Sequence, residues 1–370
     1  MTAPLAKSAF AGIETVAHLA AGGETPALVS HQAALARFLA DKSGSMPGRE
    51  RMFATVARLK ADLGRLLGVP AADIGLLASA SEGLFVAARG FDWRPGDNVV
   101  VALSEFPSVL HAWRAADGVE LRLLDQSIVP TIDQIRAAVD GRTRAIAVSH
   151  VSYLTGAKLD LAALRAIADR VGARLVVDAS HALGVVEVQG ELCDVVVSCS
   201  YKWMLGTHGV GVFFVNGRRW PDLRAPWTGW HSVDLQEDWR QRATARAKPS
   251  IERFEIGNYP FIASYVLQNG VSHLLAAGIP GIERHAGELG GVLISGLKSL
   301  SLPVLTPTDP KARGGNVAFA TDRSEALEAF LRERGVLTWS GDGRLRISVH
   351  GYNDEGDVAR AIDALRGAPV

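Results

Sequence analysis

Asp178 and Lys202 are the pair of residues in this chain whose types and surroundings point most directly to chemistry. They lie in the stretch LVVDASHALGVVEVQGELCDVVVSCSYKWMLGTHGVGVFFV, which runs from Leu175 to Val215. Leu175 to Val177 and Val195 to Val197 are short β-branched runs bounded by polar or glycine residues, the pattern of strands buried on both faces. Asp178 ends the first and Lys202 follows the second, so both should leave the sheet at one edge. A carboxylate fixed beside an amine in a half-buried crevice suits pyridoxal phosphate: the Lys forms a Schiff base and the Asp keeps the pyridine nitrogen protonated. Taken singly, each also fits an ordinary polar group at a strand end. Two rival chemistries fail on context. Asp178, Ser180 and His181 are too close on one strand exit to form a hydrolytic triad, and no GxSxG elbow accompanies them. The glycines of GTHGVG precede a strand instead of opening a helix after one, which is wrong for a dinucleotide loop.

The elements that must position this pair can be read along the chain. With 370 residues, 48% of them hydrophobic, the chain can bury a full-sized core. Lys plus Arg and Asp plus Glu each number 39, a balance that gives no electrostatic reason to expect nucleic acid or an anionic membrane as partner. The Arg-rich run from Arg240 to Lys248 then reads as a solvated loop. Cys193 and Cys199 are the only cysteines. They form no CxxC pair or Cys/His ligand spacing, so we expect no metal site, and reduced thiols in a cytoplasmic protein. Glu14 and His18 interrupt any leader-like pattern and no apolar run approaches membrane-spanning length, so a soluble, unprocessed protein is expected.

Strands are expected at Ile74 to Leu77, Val99 to Leu103, Leu121 to Leu124, Ala145 to Val148, the two flanking Asp178 and Lys202, and Val210 to Val215. Helices fall between most of them: Glu82 to Ala88, Thr131 to Val139 with a capping box in Thr131 and Gln134, and Leu161 to Val171 after Asp160. This alternation predicts an α/β fold with a mostly parallel seven-stranded sheet, helices on both faces and ligands beyond the strand ends. Residues 1 to 49 read as an arm with a short helix near Ser30 to Ala40 that joins a small C-terminal domain. Glu50 to Leu67 is a helix carrying one apolar stripe, Phe53, Val56, Leu59, Leu63 and Leu66. Residues 50–262 are assigned to the large domain and 263–370 to a small α+β domain. The small domain should contain helices at Ala263 to Ala277, Ile282 to Leu300, Ser324 to Arg334 and Asp354 to Leu365, the last capped by Asn353. Its strands are expected at Val317 to Ala320, Val336 to Trp339 and Leu345 to Val349.

The order Asp178, His181, Ser200, Tyr201, Lys202, then Gly206, Gly209 and Gly211, resembles the class V aminotransferase family of fold type I pyridoxal phosphate enzymes, which includes cysteine desulfurases, kynureninases and isopenicillin N epimerase-like proteins. The resemblance spans about Ile74 to Asn353. It implies Lys202, Asp178 and His181 as catalytic residues, with Ser200 and Tyr201 beside them at the cofactor. Ala78 to Gly83 occupies the phosphate-loop position, so Ala80 should offer its amide and Ser81 its amide and hydroxyl. A helix start also suits this job physically, although a serine there equally reads as a cap. Phe106 corresponds to the ring that stacks on the cofactor. Tyr153, in HVSYLTG, falls near the cofactor's phenolic oxygen, as does His181. Tyr201 corresponds to a tyrosine that contacts the phosphate. Trp230 and Asn258, the latter in RFEIGN where the family usually has Thr, correspond to phosphate contacts from the second subunit of a homodimer. Arg346, in RLRISVHGYN, corresponds to the arginine that grips the substrate carboxylate, and Arg344 is expected to face away. No cysteine follows Cys199, so the persulfide mechanism of the desulfurases is not expected. The resemblance thus implies an amino acid substrate and pyridoxal 5'-phosphate, with transamination ranked ahead of a kynureninase-like or eliminating lyase, and epimerisation third.

Overall fold

The β-branched runs pair as the alternation requires. In the computed structural model, which describes residues 2–114, 116, 118–235 and 238–368, the strands are β1 (Ala17–His18), β2 (Ile74–Leu77), β3 (Asn98–Ala102), β4 (Glu120–Leu124), β5 (Thr143–Ser149), β6 (Arg174–Asp178), β7 (Val195–Cys199), β8 (Gly211–Val215), β9 (Asn316–Ala320), β10 (Val336–Leu337), β11 (Trp339–Gly341) and β12 (Arg344–Ser348). The helices are α1 (His31–Ser43), α2 (Ser45–Leu67), α3 (Ala80–Arg89), α4 (Pro107–Arg114), α5 (Ile132–Ala138), α6 (Leu161–Val171), α7 (Phe261–Ala277), α8 (Ile279–Ser299), α9 (Ser324–Glu333) and α10 (Glu355–Arg366). Seven strands form one sheet in the order β2-β8-β7-β6-β5-β3-β4. Only β8 runs against its neighbours. The chain therefore has the α/β fold with a mostly parallel seven-stranded sheet that the sequence predicts.

Local chemistry starts and stops these helices where expected. The Thr131 hydroxyl accepts the Gln134 amide in a full capping box, and Asp160 accepts the amides of Ala162 and Ala163 ahead of α6. Gly172 ends α6 in the left-handed conformation (φ 73°). Three expectations need correction. The cap of α10 is Asp354, whose carboxylate accepts the Asp357 amide; the Asn353 side chain instead bonds the His350 amide and the His18 carbonyl. Val336 to Trp339 is not one strand: β10 pairs with β1 of the arm, and β11 pairs with β12. Helix α7 does not open a separate C-terminal unit, because Leu267, Val271 and Leu274 are buried in the large core with Leu59 and Leu63. A further helix, α4, starts at Pro107, whose fixed φ suits a first helical position.

A second core, built from Leu289, Leu293, Phe319, Leu345, Ile347 and Val358, also takes in Ala17 and Leu19 from the arm. Leu345 and Ile347 point into it, so by strand alternation Arg344, Arg346 and Ser348 point out of it.

The alignment of β6 and β7, which brings Asp178 to Val197, is held at its far end by Asp194. That carboxylate has 1% of its side chain exposed and lies 2.5 Å from Arg165 Nη1. It also accepts the Leu175 amide at 2.8 Å and faces Arg174 at 3.2 Å. Removing it would leave the buried Arg165 with only Asp169, an exposed carboxylate 2.8 Å away, as acidic partner. We expect Asp194→Ala to cost about 3–5 kcal/mol in urea unfolding, and a loss below about 1 kcal/mol would show that the buried pair does not hold the register.

Candidate active site

Asp178, Lys202 and His181 meet in one cavity of about 150 Å³ at the carboxyl ends of the parallel strands. Ala80, Ser81, Phe106, Tyr153 and Tyr201 line it as well. A wider groove of about 750 Å³ has Lys158 and Glu283 on its wall and includes neither Asp178 nor Lys202. Lys158 and Glu283 are paired with each other.

Asp178 is the last residue of β6, and its Oδ1 accepts the Ser180 amide at 2.8 Å. Burial raises its pKa, while the Ser180 bonds and the charge of Lys202 pull it back down. Lys202 lies on the turn after β7, and that turn is clamped from two sides. Thr25 of the arm bonds the carbonyls of Tyr201 and Lys202 through its amide and hydroxyl, and His350 after β12 bonds the Trp203 carbonyl. Leu205 adopts φ 56°, a left-handed conformation that a buried leucine takes only when its surroundings impose it. Gly184 at φ 107° lets the segment after β6 approach the same turn, because a Cβ there would lie 2.3 Å from the Trp203 carbonyl oxygen.

Lys202 Nζ lies 3.1 Å from His181 Nε2. The other ring nitrogen, Nδ1, lies 2.9 Å from Asn316 Nδ2, and Ser348 donates to Asn316 Oδ1 at 2.8 Å. With the Asn316 amide donating to Nδ1, a neutral imidazole carries its proton on Nε2, which can donate to the Lys202 nitrogen only when that amine is unprotonated. Burial first, then the charges of Lys202 and Arg346, hold the His181 pKa well below its ordinary value, which keeps the ring neutral.

The phosphate-loop segment ends at α3. Ser79 caps that helix by accepting the Glu82 amide, and the first internal bond runs from the Gly83 amide to the Ser79 carbonyl. The amides of Ala80 and Ser81 thus precede the helix's own bonding. Because Ser79 does the capping, the Ser81 hydroxyl is left facing Ser108 at 2.7 Å. Gly211 allows β8 to pass beneath this loop, since a Cβ there would lie 2.2 Å from the Ser79 carbonyl carbon.

Phe106 stands at the mouth, edge-on to Tyr153 with ring centres 5.3 Å apart, and Lys202 Nζ is 5.5 Å from its ring centre. The preceding Glu105 accepts both the amide and the hydroxyl of Ser149. Burial raises its pKa to about 7 against those bonds. Tyr201 stacks on His208 with centres 4.0 Å apart. This donor set fits pyridoxal phosphate. It combines an amine, a buried carboxylate whose raised pKa a pyridinium would reverse, an aromatic face, and a helix start with free hydroxyls.

Four of the expected site residues lie elsewhere in the single chain. The Ser200 hydroxyl is turned to the carbonyls of Thr207 and Val210, so it braces the turn. Trp230 is 46% exposed, and Asn258 accepts a hydrogen bond from Arg49 on the surface. Arg346 sits behind Tyr153, donating to its carbonyl at 2.8 Å, with the Trp339 ring centre 4.5 Å away. Arg344 does not face away; it lies on the same strand face as Arg346, buried like it. Sequence reasoning also missed Thr25, Glu105, Ser108, His208 and Asn316. A two-residue spacing in a strand was the available signal for Arg344, and no local pattern marks Thr25 or Asn316. Among the described residues no group of three or more His, Cys, Asp or Glu could hold a metal ion.

The family model for "Aminotransferase class-V" matches residues 34–361. An uncharacterized protein of Schizosaccharomyces pombe is 29% identical, covering 82% of this chain and 72% of its own. The uncharacterized aminotransferase YcbU of Bacillus subtilis is 24% identical over 84% and 82%, and a cysteine desulfurase of Dickeya dadantii is 28% identical over 73% and 67%. In three dimensions the chain resembles an apo cysteine desulfurase of Thermococcus onnurineus (TM-score 0.85, 21% identity, 95% and 94% covered). It also resembles the cystine C–S lyase C-DES in complex with its product cysteine persulfide (TM-score 0.87, 19% identity, 97% and 99% covered). Those two likenesses establish the fold, and the family match, which spans most of the sequence, establishes descent: the chain belongs to the aminotransferase class-V family of pyridoxal phosphate enzymes.

Proposed function

We propose that this protein is an aminotransferase acting on an amino acid, with Lys202 both carrying the cofactor and moving the Cα proton. The observation that carries this reading is the meeting of the Lys202 amine with His181, 3.1 Å away, in one cavity with the buried Asp178. Bound pyridoxal phosphate supplies an electron sink that makes the Cα proton of an attached amino acid removable. Asp178 supplies the negative charge that keeps the pyridine nitrogen protonated. Ala80 and Ser81, with Ser108 beside them, would hold the phosphate, Phe106 would cover the ring, and Tyr153 and His181 would serve its phenolic oxygen. Tyr201 supports the phosphate end. With substrate in place the Lys202 amine would be positioned to accept and return the Cα proton, and His181 would keep that amine aimed. Arg346 would anchor the substrate carboxylate and so orient the substrate.

Transamination needs no nucleophile beyond this set. Persulfide formation would need an accessible thiol, whereas Cys193 and Cys199 are both free and buried. Burial lifts the Cys193 thiol to about 12 and raises that of Cys199. Two free thiols and a chain in which no described helix is long and apolar enough to cross a membrane support a cytoplasmic setting. The test is a panel of amino acids given to the holoenzyme without an acceptor. An aminotransferase releases the keto acid in an amount equal to enzyme and then stops, with no ammonia. Continuous ammonia release would identify an eliminating lyase and overturn the assignment.

We further propose a homodimer in which Trp230 and Asn258 complete the partner's phosphate site. Their segments lie together, His231 bonding the Gly257 carbonyl, and exposed apolar side chains, Ile256 and Ile262, accompany them. A two-fold axis would then create two equivalent shared sites. Mixing Lys202→Ala with Trp230→Ala subunits should restore activity, because one site per heterodimer is intact. If proven subunit exchange restores none, each site is built within one chain.

A further inference from the structure

The outward face of β12 carries two arginines with no acidic partner. Arg344 and Arg346 are 8% and 3% exposed. Arg344 directs Nε and Nη2 to one acceptor, the Asp342 carbonyl oxygen, and its Nη1 is buried without a hydrogen-bond partner. Arg346 spends Nη1 on the Tyr153 carbonyl, and its Nε is likewise buried and unpartnered. Among the described residues neither guanidinium forms an ion pair with a carboxylate, although the surface of the same chain pairs many of its arginines. Their mutual repulsion is felt: burial, followed by the charge of Arg344, lowers the Arg346 pKa to about 10. Two buried cations left uncompensated are a costly arrangement that a bound anion would relieve.

One substrate carboxylate accounts for one arginine. Arg346 lies nearer the reacting groups, since the next outward residue of β12 toward them, Ser348, reaches His181 through Asn316. Arg344 lies two residues further out, roughly 7 Å along the strand, on the same face. Both arginines act electrostatically on the Tyr153 phenol. From these placements we infer that the enzyme's preferred substrates are α-amino acids with an anionic side chain, the α-carboxylate held by Arg346 and the side-chain anion by Arg344. The inference rests on the reading of Lys202 and Arg346 given above and narrows it to a substrate class.

The test uses the holoenzyme and spectral titration of the cofactor with L-aspartate and L-glutamate against their neutral isosteres, L-asparagine and L-glutamine. Wild type should bind the acidic member of each pair about ten- to a hundredfold more tightly, the range expected of one charge-assisted contact. In Arg344→Gln the acidic-to-neutral ratio should collapse toward one, and Arg344→Lys, which keeps the charge without the fork, should recover part of it. Retained cofactor colour certifies that each variant is folded. If no amino acid changes the spectrum, the assignment of Lys202 and Arg346 itself fails. If neutral and acidic amino acids bind alike in wild type, or Arg344→Gln weakens both equally, amino acid binding stands and the second anion site is refuted.

Discussion

A carboxylate shut away from water keeps its charge only when a cation or several donors face it, and Asp178 sets that requirement for the whole site. Burial raises its pKa, and within the chain only the Ser180 bonds and the distant charge of Lys202 oppose the rise. A pyridinium supplies what is missing. Everything else follows from having to present that carboxylate to a flat, phosphorylated ring. A parallel sheet puts Asp178 and the Lys202 turn on neighbouring strand ends, and strands β6 and β7 are aligned so that Asp178 meets Val197. The helix that follows β2 offers its free amides at the same edge, where ligands of open α/β sheets bind.

Precision at Lys202 comes from outside the sheet. The turn that carries it continues toward β8 through a left-handed leucine and is tied to Thr25 of the arm and His350 of the C-terminal region. The same C-terminal region reaches His181 through Asn316 and Ser348. Lys202 and His181 are therefore both held by segments remote in sequence. A movement of the C-terminal core relative to the sheet would be felt at the amine as well as at Arg346. The arm's Gly22 is part of this contact, since a Cβ there would meet Asn316 Oδ1 at 2.6 Å and Ser348 Oγ at 2.8 Å.

Much of this was legible because its causes are local. Buried β-branched runs, Thr131 with Gln134, and Asp160 before Leu161 each announce an element through short-range physics, and the seven strands appear within a residue or two of where they were expected. The meeting of Asp178 and Lys202 in one cavity was legible because they follow adjacent strands. The sequence was silent where the deciding partner is distant. Asn353 and Asp354 both suit a helix cap, and the choice went to Asp354 because Asn353 is engaged with His18 and His350. Val336 to Trp339 reads as one strand, yet its halves pair with segments from opposite ends of the chain. Arg344 was misjudged although strand alternation alone sets it beside Arg346, and Thr25 and Asn316 carry no mark of their role.

The central claim is that Lys202 bears the cofactor. Borohydride reduction of the holoprotein followed by peptide mass mapping tests it most directly. The account predicts the reduced cofactor's mass on the peptide containing Lys202 and no labelling of that peptide in Lys202→Ala. Label on another lysine, or a colour that reduction leaves unattached to the chain, would contradict it.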